Sequence, residues 1–158
     1  MTPVPAGRVI FLTGAIATHA VVGYVLGAIL ADRPYVGAVG GVVPDIDFLF
    51  PAAFEWPFVH RGVTHTLLVA TIATALIAVR HRATGTAFGA GYVSHLLIDA
   101  TTPQGVPFLY PGLSESFFFA LPPGGHSTVG TVILWSGALS LLYVDASGDV
   151  LRIWNSHG

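Results

Sequence analysis

The chain has 158 residues, of which 53% are hydrophobic and only 9% charged, with a mean hydropathy of +0.74 and a formal net charge of −2. Soluble domains devote about a quarter of their residues to charge, so this composition excludes an ordinary water-covered surface and makes lipid the natural solvent. Six scattered arginines and no lysine leave no basic footprint for nucleic acid, and without cysteine any metal must be held by histidine nitrogen and carboxylate oxygen.

Val9 to Leu30 is an apolar run interrupted by one histidine, His19. It is long enough to span a bilayer, for which roughly 20 residues suffice, and too long for a signal-peptide core, so it reads as a retained membrane helix. Ala31 to Pro34, "ADRP", is a turn, and the glycine-rich apolar stretch Tyr35 to Val43 after it is about half the length of a span. Pro44 to Gly62 holds three prolines and reads as an irregular loop with interfacial aromatics such as Trp56. Val63 to Val79 is the next helix, with His65 in its first turn, and after Arg80 to Arg82 the segment Thr84 to Thr101 returns as a helix carrying His95 and Asp99. Thr102 to Gly125 is too rich in proline and glycine for one regular span, although Phe117 to Leu121 could lie in or on the membrane. Ser127 to Val144 is the last span, followed by a short polar tail. The expected fold is all-α, a polytopic integral membrane helical bundle with a short half-spanning segment and a proline-rich loop, in one domain over residues 1–158. Arginine counting sets Arg33, Arg80, Arg82 and Arg152 on one face against Arg8 and Arg61, which puts the polar loop on the extracytoplasmic side of the cell membrane.

The chemistry-bearing residues fall into four clusters: His19; Asp45 and Asp47 in "PDID"; His60 and His65 in "HRGVTH"; His95 and Asp99 in "HLLID". His19 lies 13 positions before the turn at Asp32 and Asp45 lies 11 after Pro34, rises of about 20 and 16 Å in a helix. His65 to Arg80 and Arg82 to His95 correspond to about 22 and 20 Å, so all four clusters reach a similar depth. His95 and Asp99 share one helix face at i, i+4. Asp45 and Asp47 would point the same way in an extended segment, and Thr64 or Thr66 could orient a ligand. Singly, His19 could just as well bond a neighbouring helix, and either aspartate could be a cap or turn former. His81, His126 and His157 have no matched partner and read as structural or solvated. Ionisable groups at membrane depth cost on the order of 3 kcal/mol each unless paired, so the convergence of seven points to a shared ligand. Arg61 could clamp a phosphate through its planar fork or bond Glu55 and lipid head groups.

Taken together, the helical His19, "PDID", "HRGVTH" and "HLLIDATTPQG" with Thr102 and Gly105 resemble the signature of the YdjM-like family of membrane-bound predicted metal-dependent hydrolases, over roughly Ala17 to Pro111. The resemblance implies a helical membrane protein with a divalent-metal site and hydrolase activity. The histidine and aspartate content is also similar to the zinc-dependent phospholipase C and nuclease group. The expected function is hydrolysis of a lipid phosphoester by metal-activated water, with one to three ions, zinc or manganese. His19, Asp45, Asp47, His60, His65, His95 and Asp99 are the expected ligands, Asp47 the base and Arg61 the phosphate clamp. Membrane lipid and a small-molecule or lipid substrate are the expected partners. Two alternatives are a metal or proton transporter, which needs polar residues continuing to the far face, and a scaffold with a closed structural metal site.

Overall fold

The structure is a computed structural model that describes residues 5–156; His157, expected to be structural or solvated, lies outside them. Its first helix, α1 (Ala6–Ala31), ends where Asp32 adopts a left-handed conformation, φ 52°. The N–H groups of Asp32 and Arg33 turn back to the carbonyls of Ala28 and Gly27, closing the helix before Pro34 opens α2 (Pro34–Val42) at its first position. At nine residues α2 is about 14 Å long, the expected half-length segment. It runs directly into a 3₁₀ turn over Val43–Leu49 that carries both aspartates of "PDID".

A second 3₁₀ turn, Val63–His65, precedes α3 (Leu67–Ala78), whose N-cap is Thr66: its hydroxyl accepts from the N–H of Val69. His65 therefore stands before the helix that was expected to carry it in its first turn. The helix α4 (Arg82–Asp99) returns to the same level, and residues 102–125 form turns with an isolated bridge between Val106 and Phe117, held to the end of α4 by the N–H of Phe119 on the carbonyl of Ala100. The last helix, α5 (Thr128–Ser156), continues through the stretch that reads as a polar tail. The five α-helices and two 3₁₀ turns make an all-helical architecture, with no strand among the described residues. Of the expected spans, α1 and the Thr128–Gly148 part of α5 are long and apolar enough to cross a membrane.

Glycines set how closely the helices approach. A Cβ on Gly37 would stand 2.8 Å from Gly27 Cα and against the carbonyl of Gly23, and one on Gly41 would strike the carbonyl of His19. Gly91 on α4 lies equally tight against Gly37 and Gly41, so α1, α2 and α4 touch through their backbones. Against α4, α3 fits Ala78 onto Gly85 and Thr74 onto Gly89. α5 is fastened to α1 by Trp135, whose indole N–H donates to Thr18 Oγ1 at 3.1 Å.

The burial pattern is inverted relative to a water-soluble domain. Ile10, Leu76, Val79 and Tyr143 face outward, whereas the fully buried side chains include His19, His65, His95 and Asp99 beside Tyr92, Leu96 and Val106. Such a surface suits hydrocarbon, and the polar centre needs an internal partner for every charge.

The backbone contacts make a direct test. Gly37→Ala is expected to destabilise the protein by about 1–3 kcal/mol through overpacking and to lower the Tm in detergent. Gly14→Ala on α1, where a Cβ would meet nothing within 4 Å, is expected to leave the Tm unchanged.

Candidate metal centre

The site forms where the ends of α2 and α4 meet the middle of α1 and the loop before α3. His95, completely buried, sets its Nδ1 2.7 Å from the carbonyl oxygen of Gly41. A carbonyl only accepts, so Nδ1 carries the proton and Nε2 presents a bare lone pair. His65 is fixed in the same way by Asp47. Thr64 donates its hydroxyl proton to Asp47 Oδ2 at 2.8 Å, and His65 Nδ1, 3.0 Å from the Thr64 hydroxyl oxygen and 3.1 Å from Asp47 Oδ2, directs its own proton at that pair. His60 Nδ1 donates to Asp47 Oδ1 at 3.0 Å, and the backbone N–H of Arg61 reaches Oδ2 at 3.1 Å. Burial alone would raise the Asp47 pKa, but the hydrogen bonds from His60, His65 and Thr64 outweigh it and hold the carboxyl well below the usual range.

Asp47 thus differs from its expected part. The extended segment that would have aimed it alongside Asp45 is a 3₁₀ turn, and its oxygens are taken by four donors. It orients histidine rings from behind. Asp45 lies on the other side of those rings, with Oδ1 3.9 Å from His65 Nε2 and 3.8 Å from His95 Nε2, and burial pushes its pKa up.

The two bare nitrogens, His65 Nε2 and His95 Nε2, are 3.1 Å apart. Asp99 Oδ2 stands 3.4 Å from the first and 3.6 Å from the second. Two lone pairs at that separation repel unless a cation lies between or beside them. Nitrogens held 2.0–2.1 Å from one tetrahedral zinc ion are about 3.3 Å apart, so this pair fits such an ion. Charge agrees: of the carboxylates of Asp45, Asp47 and Asp99, Asp99 is paired with the guanidinium of Arg61, leaving two negative charges among the three for a divalent ion to offset. Two groups of donors are close enough to hold an ion, His19 with His95 and Asp99, and Asp45 with His60 and His65.

Arg61, 7% exposed, is turned inward, away from both Glu55 and the lipid. Its Nε lies 2.9 Å from Asp99 Oδ2 but its N–H is off that line, so the contact is an ion pair rather than a hydrogen bond. Nη1 donates to the hydroxyl of Thr102 and to the carbonyl of Asp99. Its backbone is left-handed, φ 59°, a conformation that costs a residue with a Cβ roughly 1–2 kcal/mol. That bend aims its N–H at Asp47 while its side chain goes to Asp99. The neighbouring Gly62 serves close approach, since a Cβ there would run into the carbonyl oxygens of Pro57 and Val59.

Of the expected residues, all seven proposed ligands and Arg61 converge here. One more joins them against expectation: His126, read from the sequence as structural or solvated with no matched partner, comes from the loop before α5 and places Nε2 3.0 Å from His19 Nε2 and 3.2 Å from Asp99 Oδ1. His81 is exposed at the N-cap of α4, far along the helix from His95. His19, Asp45, His60, Asp99 and His126 open onto a cavity of about 350 Å³, with Arg61 and Gln104 on its polar side, Phe11, Leu12 and Ile16 of α1 on its apolar side, and Arg8 also on its wall, while His65 and His95 stay buried behind it.

Residues 15–156 match the family described as YdjM inner membrane protein. A curated relative, Inner membrane protein YbcI of Escherichia coli (strain K12), is 29% identical over 156 aligned residues, covering 76% of this chain and 88% of that protein. No solved structure matches the chain. The family match takes in every histidine and aspartate of the site, from His19 on α1 to His126 before α5, and the chain belongs to the YdjM inner membrane protein family.

Proposed function

We propose that the protein is a membrane-bound metal-dependent hydrolase that cleaves a phosphoester of a lipid or lipid-linked substrate. The observation that carries this reading is the pair of bare Nε2 atoms, 3.1 Å apart, backed by Asp45 and Asp99, two carboxylates that line a cavity whose other wall is apolar. His65, His95, Asp45 and Asp99 would hold a divalent ion, zinc or manganese by the chemistry of the donors. Such an ion polarises a phosphoryl oxygen and lowers the pKa of water when bound.

The chain's own residues divide the remaining work. His60 is 32% exposed, far more open than the other histidines of the centre, and carries Asp47 behind its Nδ1. We assign it as the base: Nε2 takes the proton of the attacking water, while Asp47 fixes the tautomer and stabilises the imidazolium. Asp47, expected as the base itself, is thereby a positioning residue. Arg61 lines the cavity and supplies positive charge beside a bound phosphate while holding Asp99 in place. Phe11, Leu12 and Ile16 give the hydrocarbon part of a lipid a surface to lie on. Seen along the helices, Arg33, Arg80 and Arg82 each lie a helix length from the site, which supports a multi-pass topology with the site on the extracytoplasmic side.

Metal-loaded full-length protein assayed on phospholipid and prenyl-phosphate substrates is expected to show turnover that chelation abolishes. His60→Ala is expected to lower kcat about 10²–10⁴-fold with bound metal unchanged. Absence of turnover on every substrate, from protein shown to carry metal, would sink the hydrolase reading. Asp47→Asn is expected to weaken metal affinity about 10–100-fold, measured by competition with a chromophoric chelator. Because the chain has no native cysteine, topology is open to single-cysteine labelling of intact cells. Gln104→Cys is expected to react with an impermeant maleimide, and His81→Cys only after lysis.

A further inference from the structure

We infer that the centre holds a second divalent ion, for which His19, His126 and Asp99 Oδ1 would supply the donors, while Asp99 Oδ2 stands beside His65 and His95. Three donor atoms meet there: His19 Nε2 and His126 Nε2 at 3.0 Å, His126 Nε2 and Asp99 Oδ1 at 3.2 Å, His19 Nε2 and Asp99 Oδ1 at 3.4 Å. These separations bracket the roughly 3.3 Å expected for nitrogen and oxygen donors about 2.0 Å from one tetrahedral ion. Asp99 is 1% exposed, and its Oδ1 has no hydrogen-bond partner although two histidine nitrogens stand beside it. One imidazole proton shared between His19 and His126 would leave that buried oxygen orphaned; an ion satisfies all three atoms at once.

The loop before α5 is built to deliver His126. Gly125 N–H donates to Thr101 Oγ1 at 2.8 Å, and a Cβ on Gly125 would stand 2.8 Å from Ile98, so the chain is drawn against the end of α4 just beside Asp99. The Trp135 to Thr18 hydrogen bond draws α5 to α1 next to His19. Together the two centres would carry more positive charge than the three carboxylates balance, which suits an anionic phosphate in the cavity.

The inference rests on the hydrolase reading's first ion and is separable from it. The probes are Zn²⁺ and Mn²⁺ alone, added to full-length protein in detergent. Wild type is expected to bind two Zn²⁺ per chain by elemental analysis, His126→Ala one, and His126→Asp, which restores a donor, two. Wild type loaded with Mn²⁺ is expected to show the electron paramagnetic resonance of two coupled ions, a readout that needs no variant to fold. One Zn²⁺ in wild type and in His126→Ala alike, with an uncoupled Mn²⁺ spectrum, would overturn the second site and leave the first. Two Zn²⁺ retained in His126→Ala would overturn the assignment of His126, and no bound metal in wild type would overturn both readings.

Discussion

The molecule is organised around the 3.1 Å approach of His65 Nε2 to His95 Nε2. Each ring is committed through its other nitrogen, His95 to the carbonyl of Gly41 and His65 to Asp47. The shortness of α2 follows from this. A helix that ends halfway leaves its last carbonyls without intrahelical partners, and one of them becomes the fixed acceptor that sets the tautomer of His95. The chain then passes straight into the 3₁₀ turn that supplies Asp45 and Asp47. A full-length span in place of α2 would carry that carbonyl and both carboxylates past the histidines.

Holding so many ionisable groups inside an apolar shell requires the helices to come together without long side chains between them. The glycine contacts of α1, α2 and α4 do this, bringing backbones together at the same level as the site. Dispersion and hydrogen bonding, rather than expulsion of apolar surface from water, then hold the helices, because the outward residues meet lipid of similar polarity. The ion pair between Arg61 and Asp99 and the four donors on Asp47 satisfy charges that would otherwise be expensive to bury.

Much of this was legible in the sequence because depth along a helix is a simple function of residue count. Counting from the turns at Asp32 and Arg80 brings His19, Asp45, His65 and His95 to one level, and the structure places them there. Direction around an element was less legible. The separation of Asp45 and Asp47 by two positions suggests a shared direction only in a strand; in a 3₁₀ turn each residue rotates about 120°, which sends one carboxylate to the front of the rings and the other behind them. His126 stands outside every helix, so a depth count over helices that carry a histidine does not reach it. It lies two residues before α5 starts, so the same count from the site-facing end of that span would have found it. Arg61 was ambiguous because nothing local marks a left-handed arginine, and its partners Thr102 and Asp99 lie about forty residues away. The polar stretch from Asp145 onward looked like a tail because its composition changes, yet helix propagation depends on backbone continuity and no proline or paired glycine interrupts it.

The measurement that bears most directly on the central claim is zinc K-edge X-ray absorption on full-length protein purified in detergent and loaded with Zn²⁺. The account expects a nitrogen and oxygen shell about 2.0–2.1 Å from the ion, with the outer-shell scattering of at least two imidazole rings, lost when His65 and His95 are both replaced by alanine. Absence of bound zinc, or a shell without imidazole scattering that is the same in the double variant, would contradict it.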